Sequence, residues 1–389
     1  MDAAAVQICL QKSSTRLDLT RVETCNLESK NGNCTMVNPA ENLVGQVVNG
    51  RWAVEEQIDL RSSDSTGGFF SVPYIVRDNQ TGEKAFLKVL DVIKAIQRYQ
   101  DHGLGLADTL NRITAGHLFE VHLMDACGRK GLKRVVGALD HGEINLDVPI
   151  LGTIGFPYLV FELGDGDTHK LLQTIGKADQ AWWLQAVHQV ATGLKQLHGI
   201  SIAHQDVKAS NVVFFGVSNA KLADLGRAVE KGVHSLNDER LLRGDGTHAP
   251  PEYHYNFTPP DWDERHLATD LYLLGSLVFS FYMGVSMTLA IMVRLPPELL
   301  PMRYGGTFSD LLPALQHAFG GVLDDFAKAV PASLRDVMVP TIRLLCHPDP
   351  SQRGHPKSHK MVHGNKFSVE RFISIFNRMA VIAEGEVGK

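Results

Sequence analysis

His204-Gln205-Asp206-Val207-Lys208-Ala209-Ser210-Asn211 sets a carboxylate, an ammonium and a carboxamide within six residues of one another. Thirteen residues beyond Asn211, Asp224-Leu225-Gly226 adds a second carboxylate. The intervening NVVFF, the turn residues GVSN and AKLAD read as a hairpin, which returns the chain beside its start. Transfer of a γ-phosphoryl group needs little covalent work from a protein. It needs oxygen ligands for metal ions, a carboxylate to orient the attacking hydroxyl, and cations against the phosphates. Asp206 suits the hydroxyl, Lys208 the charge on the transferring group, and Asn211 and Asp224 offer hard oxygens to Mg²⁺.

Upstream, Trp183, Val187, Val190, Leu194 and Leu197 recur at helical steps, and Asp179 suits the N-cap of the helix that delivers the chain to this loop. Farther upstream the texture from Trp52 to Leu90 is β-rich: VPYIV and AFLKVL flank RDNQTGEK, whose Asn79, Thr81 and Gly82 mark a hairpin turn. Residues 91 to 126 read as polar and helical, and RVVGAL and FPYLVFEL as two more strands, for a small antiparallel sheet of at least five. Downstream, from Asp261 to about Val381, the pattern is mainly helical. Residues 1 to about 40 show no sustained period and read as an extension of low order.

Hydrophobic residues make up 44% and charged residues 21% of the 389, the balance of a folded globular chain rather than a disordered one. A net charge of −5 offers no basic field for nucleic acid or an anionic membrane, so neither is expected as a partner. Cys9, Cys25, Cys34, Cys127 and Cys346 form no CxxC pair, which favours free thiols in a reducing cytoplasm over a zinc site or a disulfide framework. The N-terminus lacks the basic and apolar runs of a secretory signal. Leu271 to Val293 carries no charge and is long enough to span a bilayer. Gly275 and Gly284 interrupt it, however, and functional motifs lie on both sides, so it is expected as a buried helix of a large lobe.

HQDVKASN and DLG resemble the catalytic and metal-binding loops of the protein kinase family. Further elements follow in the family's order. Lys88 falls at the phosphate-binding lysine and Glu120 at its helix-borne partner. Pro250-Pro251-Glu252 is similar to the end of the activation segment, Asp270 to the aspartate opening the large buried helix, and Arg353 to the arginine that pairs with the glutamate. The resemblance covers roughly residues 45 to 380 and implies a bilobal α+β fold. That fold has a small antiparallel-sheet N-lobe with one main helix (45–163) and a larger, mostly helical C-lobe (164–381), between an extension (1–44) and a tail (382–389).

It further implies a serine/threonine protein kinase that binds ATP and Mg²⁺ between the lobes, hinged near Glu162 and Gly164, with a protein substrate. Asp206 and Lys208 are then catalytic and Asn211 and Asp224 metal ligands, while Lys88, Glu120, Gly67, Gly68, Glu162 and Gly164 serve the nucleotide. His204 takes a packing role, Asp270 accepts backbone hydrogen bonds from the catalytic loop, and Glu252 with Arg353 forms a supporting ion pair.

The chain departs from the family pattern in several places. In Ser65-Thr66-Gly67-Gly68-Phe69-Phe70-Ser71-Val72 only Gly67 matches one of the three spaced glycines. Phe86 stands where a small residue normally meets the adenine, and Gln205 replaces the arginine that receives an activation-segment phosphate. Control by phosphorylation of residues 227 to 249 is therefore not expected, and constitutive activity or control by a regulatory protein partner is expected instead. The stretch GDGTHAPPE is compact, and HGLGLAD adds residues between Lys88 and Glu120. A pseudokinase scaffold, or a kinase of a small-molecule hydroxyl, remains open beside the protein kinase reading.

Overall fold

The computed structural model describes residues 38–58, 71–101, 105–148, 152–167, 179–238, 246–362 and 364–387. They divide into two units. One takes in the described residues of 38–125 and 137–163, the other those of 126–136 and 164–387.

In the first unit, period-two burial builds a six-stranded antiparallel sheet. Its strands are β1 (Val47–Val48), β2 (Trp52–Gln57), β3 (Ser71–Asp78), β4 (Lys84–Leu90), β5 (Ala138–Val148) and β6 (Gly152–Glu162), in the order β1-β2-β3-β4-β6-β5. Along β4, Ala85, Leu87 and Val89 are buried while Phe86 and Lys88 point to the other face. The β3–β4 turn closes with the Gly82 amide donating to the Asp78 carbonyl, and Gly82 has φ 78°, a conformation that costs glycine nothing. Helices α1 (Val92–Asp101) and α2 (Leu106–Arg129) follow β4.

Three expected boundaries shift. Residues 38–44 are anchored to the first unit rather than forming part of an extension: Ala40 and Leu43 are fully buried in its core, and the Tyr74 hydroxyl donates to the Ala40 carbonyl. The strand expected over RVVGAL begins only at Ala138 and runs on through polar residues to Val148. Ahead of it, Val135 and Val136 pair with Leu222, so residues 126–136 group with the second unit although they lie within the 45–163 span. At the C-terminus the last helix continues past 381 to Val387.

Beyond residues 126–136 and Gly164, the second unit continues with β7 (Gly166–Asp167) and is organised around α3 (Gln180–His198). Asp179 caps α3, its side chain accepting from the Ala181 amide, and the stripe Trp183, Val187, Val190, Leu194, Leu197 is buried. Short strands follow: β8 (Ile202–Ala203), β9 (Val212–Phe215), β10 (Asn219–Leu222) and β11 (Val229–Glu230). β9 pairs with both β10 and β7, and β11 with β8. Then come α4 (Pro251–His254), α5 (Trp262–Met283), α6 (Met287–Arg294), α7 (Phe308–Ala329), α8 (Ala332–Leu345), α9 (Pro356–His359) and α10 (Glu370–Val387).

The uncharged run 271–293 is two helices rather than one. Gly284, at φ 71°, caps α5 by donating to the Ser280 carbonyl, and α6 leaves at 74°. Residues Leu271 to Phe279 are buried inside the unit, and no single described helix is long and apolar enough to cross a membrane.

Candidate functional site

In the second unit the β9–β10 register, Val212 opposite Leu222, closes the hairpin so that the Ala223 amide donates to the Asn211 carbonyl at 2.9 Å. Asn211 and Asp224 are thereby brought to adjacent positions at the two ends of one hairpin. Asn211 Nδ2 donates to Asp206 twice, to the carbonyl at 2.8 Å and to Oδ2 at 3.0 Å, and Lys208 Nζ lies 3.2 Å from the same Oδ2. Committing its nitrogen to Asp206 leaves the Asn211 amide oxygen as the atom that can meet a cation. Asp224 has φ 63°, and its Oδ1 accepts the Gly226 amide at 3.2 Å, a local turn that compensates part of the backbone strain.

Among the described residues no group of three or more His, Cys, Asp or Glu side chains is placed to hold a metal ion. Two oxygen donors on one hairpin fit Mg²⁺ in another way, since that ion keeps several waters and is commonly held by one or two protein ligands together with substrate phosphates.

The loop rests on Asp270, which is completely buried on α5. Its Oδ2 accepts the His204 amide and its Oδ1 the Gln205 amide, each at 2.8 Å. His198 Nε2 at the end of α3 adds a further contact to Oδ2 at 2.8 Å. His204 is structural, as expected: Nε2 lies 3.0 Å from the Ala223 carbonyl and Nδ1 accepts the Asp206 amide at 3.3 Å. Both ring nitrogens are thus turned to backbone, away from any hydroxyl to be activated. Glu252 and Arg353 form a bidentate pair at 2.7 Å, which ties α4 to the segment before α9.

In the first unit Lys88 Nζ meets Glu120 Oε1 at 3.0 Å, with the two side chains 17% and 11% exposed, a setting in which neither charge would be tolerated alone. One turn before Glu120 on α2, burial first, and then the charges of His141 and Lys88, push His117 down to about 4. Phe86 shares the Lys88 face, and its ring centroid lies 6.4 Å from that of Phe161. Glu162 closes β6 by accepting the Gly137 amide at 2.6 Å. Gly164, the first residue of the second unit after Leu163, sits so close to β9 that a Cβ would strike the Val213 side chain and lie 2.8 Å from the Phe214 carbonyl oxygen. Gly67 and Gly68, with Phe70, lie outside the described residues.

Three further residues brace the site without having been marked by motif: His198, His266 and Asn237. Asn237 Nδ2 donates to the Gly226 and Ala228 carbonyls at 3.1 and 3.0 Å, holding the stretch that follows Asp224. His266 stands one helical turn before Asp270, a spacing visible in the sequence, although its partner Gln205 is not.

A model of the protein kinase domain matches residues 67–289. Among curated proteins, the SNF-related serine/threonine-protein kinase of Rattus norvegicus is 28% identical over 237 residues, 56% of this chain and 25% of the relative. The extracellular signal-regulated kinase 1 of Dictyostelium discoideum is 27% identical over 168 residues, 43% and 28% of the two chains. The testis-specific serine/threonine-protein kinase 1 of Mus musculus is 27% identical over 154 residues, 37% and 42%. In each case the match spans less than half of the relative's own length.

Proposed function

The chain belongs to the protein kinase family, and from that premise we propose that it is a serine/threonine protein kinase that transfers the γ-phosphoryl group of ATP to a protein hydroxyl with Mg²⁺. The observation that carries this reading is the Asp206 cluster: one carboxylate held from two sides by Asn211 and Lys208, in a loop suspended from a fully buried Asp270.

ATP would supply the phosphoryl group, and Mg²⁺ would spread the charge that builds up on it. Asp206 takes the hydrogen bond of the incoming hydroxyl, oriented by the Asn211 amide. Lys208, two residues on, offsets negative charge on the moving group and argues for serine or threonine as acceptor. Asn211 and Asp224 would hold the metal through their side-chain oxygens. Lys88, kept in place by Glu120, neutralises the non-transferred phosphates, with Gly67, Gly68, Glu162 and Gly164 as the remaining nucleotide contacts. The substrate is a protein, a regulatory partner takes the place of activating phosphorylation, and the enzyme works in the cytoplasm. Cys127 and Cys346, both buried free thiols, favour a reducing compartment.

The test is phosphate transfer from γ-labelled ATP to a mixed protein substrate, with and without a chelator. Phosphoamino-acid analysis then separates serine and threonine from tyrosine. Lys88→Met, Asp206→Ala and Asp224→Ala should each abolish the label; if all three retained wild-type turnover, the assignment would be wrong.

One observation favours a second reading. The Phe86 and Phe161 rings lie on the face that carries Lys88, where a purine would need room. A scaffold that has given up nucleotide binding would show no rise in melting temperature on titration with ATP and Mg²⁺, whereas a binder is stabilised by mass action.

A further inference from the structure

Gln205, immediately before Asp206, has a φ of 64°, an uncommon conformation for a residue with a side chain, and is 1% exposed. Its side chain makes three hydrogen bonds. Nε2 donates to the His266 carbonyl at 2.9 Å and to Asp270 Oδ1 at 3.1 Å. Both partners can only accept, so the orientation of the amide is settled, and Oε1 must be the atom facing His266 Nδ1 at 3.0 Å. His266 Nδ1 therefore carries a proton and donates it.

His266 is itself completely buried, with the Trp262 ring 4.8 Å away and its Nε2 turned to Asp238 Oδ1 at 3.8 Å. Asp238 in turn accepts the Ser235 amide and hydroxyl at 2.9 and 3.0 Å. Next to it, Asn237 grips the carbonyls of Gly226 and Ala228. Hydrogen bonds thus tie the residue before Asp206 to His266 on α5, and a longer charge contact from His266 reaches the half-buried Asp238 beside Asn237, in the segment that follows Asp224.

From this geometry we infer that Gln205 and His266 are positioning residues. They form a latch that holds Asp206 and the Asp224 segment in register without any phosphate on residues 227–249. The inference rests on the phosphotransfer reading above. Two physical points carry it. A left-handed backbone at a non-glycine residue persists only where its surroundings over-determine it, and here a carbonyl, a carboxylate and a ring N–H do so together. Every polar atom of the Gln205 side chain is already committed and out of water, so a phosphate arriving on the segment would find nothing there to grip.

The test compares Gln205→Met and His266→Leu, which remove the latch, with His266→Asn, whose side-chain amide can stand where ring Nδ1 stands. Turnover is read beside the exchange rates of the amides of residues 202–206 and the wild-type enzyme stripped by a phosphatase, with loss of phosphate checked by intact mass. The two disrupting variants should lose about 10- to 100-fold in kcat, the scale expected when a catalytic group is displaced by about an ångström. Their KM for ATP should stay within about twofold, and the His204 and Gln205 amides, freed from Asp270, should exchange faster. His266→Asn should recover most of the loss, and phosphatase treatment should change nothing.

Wild-type turnover and exchange in Gln205→Met would overturn the inference, as would equal damage in His266→Asn and His266→Leu, or a collapse of activity on dephosphorylation. If the wild type transferred no phosphate at all, the kinase reading itself would fail. The exchange rates would still decide whether the latch exists: unchanged protection in both disrupting variants would remove it.

Discussion

Arg353 and Glu252, 101 residues apart, meet fork to fork: Nη1 to Oε1 and Nη2 to Oε2, both at 2.7 Å, with the two side chains essentially out of water. The guanidinium also lies over the Tyr272 ring and donates through Nε to the His347 carbonyl. Removing the carboxylate strands a buried cation. Glu252→Ala should therefore cost about 3–5 kcal/mol in urea unfolding. A double variant, Glu252→Met with Arg353→Met, should cost less than the sum of the two single changes, because no charge is left unpaired. Additive losses would show that the pair is not coupled in this way.

Lys88 and Glu120 divide stability from chemistry differently. The pair is less buried than Arg353 and Glu252, at 17% and 11% exposure, so Lys88→Met should lower the unfolding midpoint by less than Glu252→Ala does, while abolishing phosphate transfer. Glu120→Gln keeps the shape and one acceptor oxygen and should retain activity, reduced by roughly 10- to 100-fold, equivalent to about 1.4 to 2.7 kcal/mol. Labelled-ATP assays beside circular dichroism would check both. A Glu120→Gln enzyme as fast as wild type would mean that Lys88 is held by other contacts.

Acid should weaken the second unit through His254. Burial, the largest cause, pushes its ring from 6.5 down to about 4, against hydrogen bonds with the Gly246 and Ala249 backbone that act the other way. Between pH 4 and 6.5 the unfolded chain binds a proton that the folded chain does not. Stability from this group is thus complete above about pH 6.5 and lost as pH falls towards 4, by at most about 3 kcal/mol. His254→Leu should flatten the dependence of the urea midpoint on pH across that window relative to wild type. An equal slope in both proteins would place the acid sensitivity elsewhere.

Much of this arrangement was legible in the sequence where the signal is local. The period of Trp183, Val187 and Val190, the Asp179 cap and the GVSN turn each act within one element, and each element forms where expected. The spacing from Asp206 to Asp224 was readable because a short antiparallel hairpin has one geometry. What escaped depends on partners remote in sequence. Val135 and Val136 have the composition of a strand, yet they pair with Leu222, and only the tertiary fold selects that partner. Gln205 read as a missing cation; its three hydrogen bonds to Asp270 and His266 exist only once α5 lies against the loop. Gly284 read as an interruption of the apolar run, but Gly275 read the same way, and only the packed structure shows that the helix continues through Gly275 and ends at Gly284.

Gly275 lies inside that apolar run and faces the C-terminal end of α8. A Cβ added there would stand 2.5 Å from Cys346 Sγ and 2.7 Å from Leu345 Cβ, inside any real contact distance, and both neighbours are completely buried and unable to swing away. Gly275→Ala must therefore push the two helices apart. The helical propensity gained, up to about 1 kcal/mol, would be outweighed by an overpacking cost of about 1–3 kcal/mol. Asp270 stands five residues earlier on the same helix and carries the His204 and Gln205 amides, so displacement of α5 should also reach the catalytic loop. The expected result is a lower urea midpoint together with reduced kcat. Gly320→Ala on α7, where a Cβ meets nothing within 4 Å, serves as the control and should leave both unchanged or slightly raise the midpoint. A Gly275→Ala protein as stable as wild type would show that α8 can yield at Leu345 without loss.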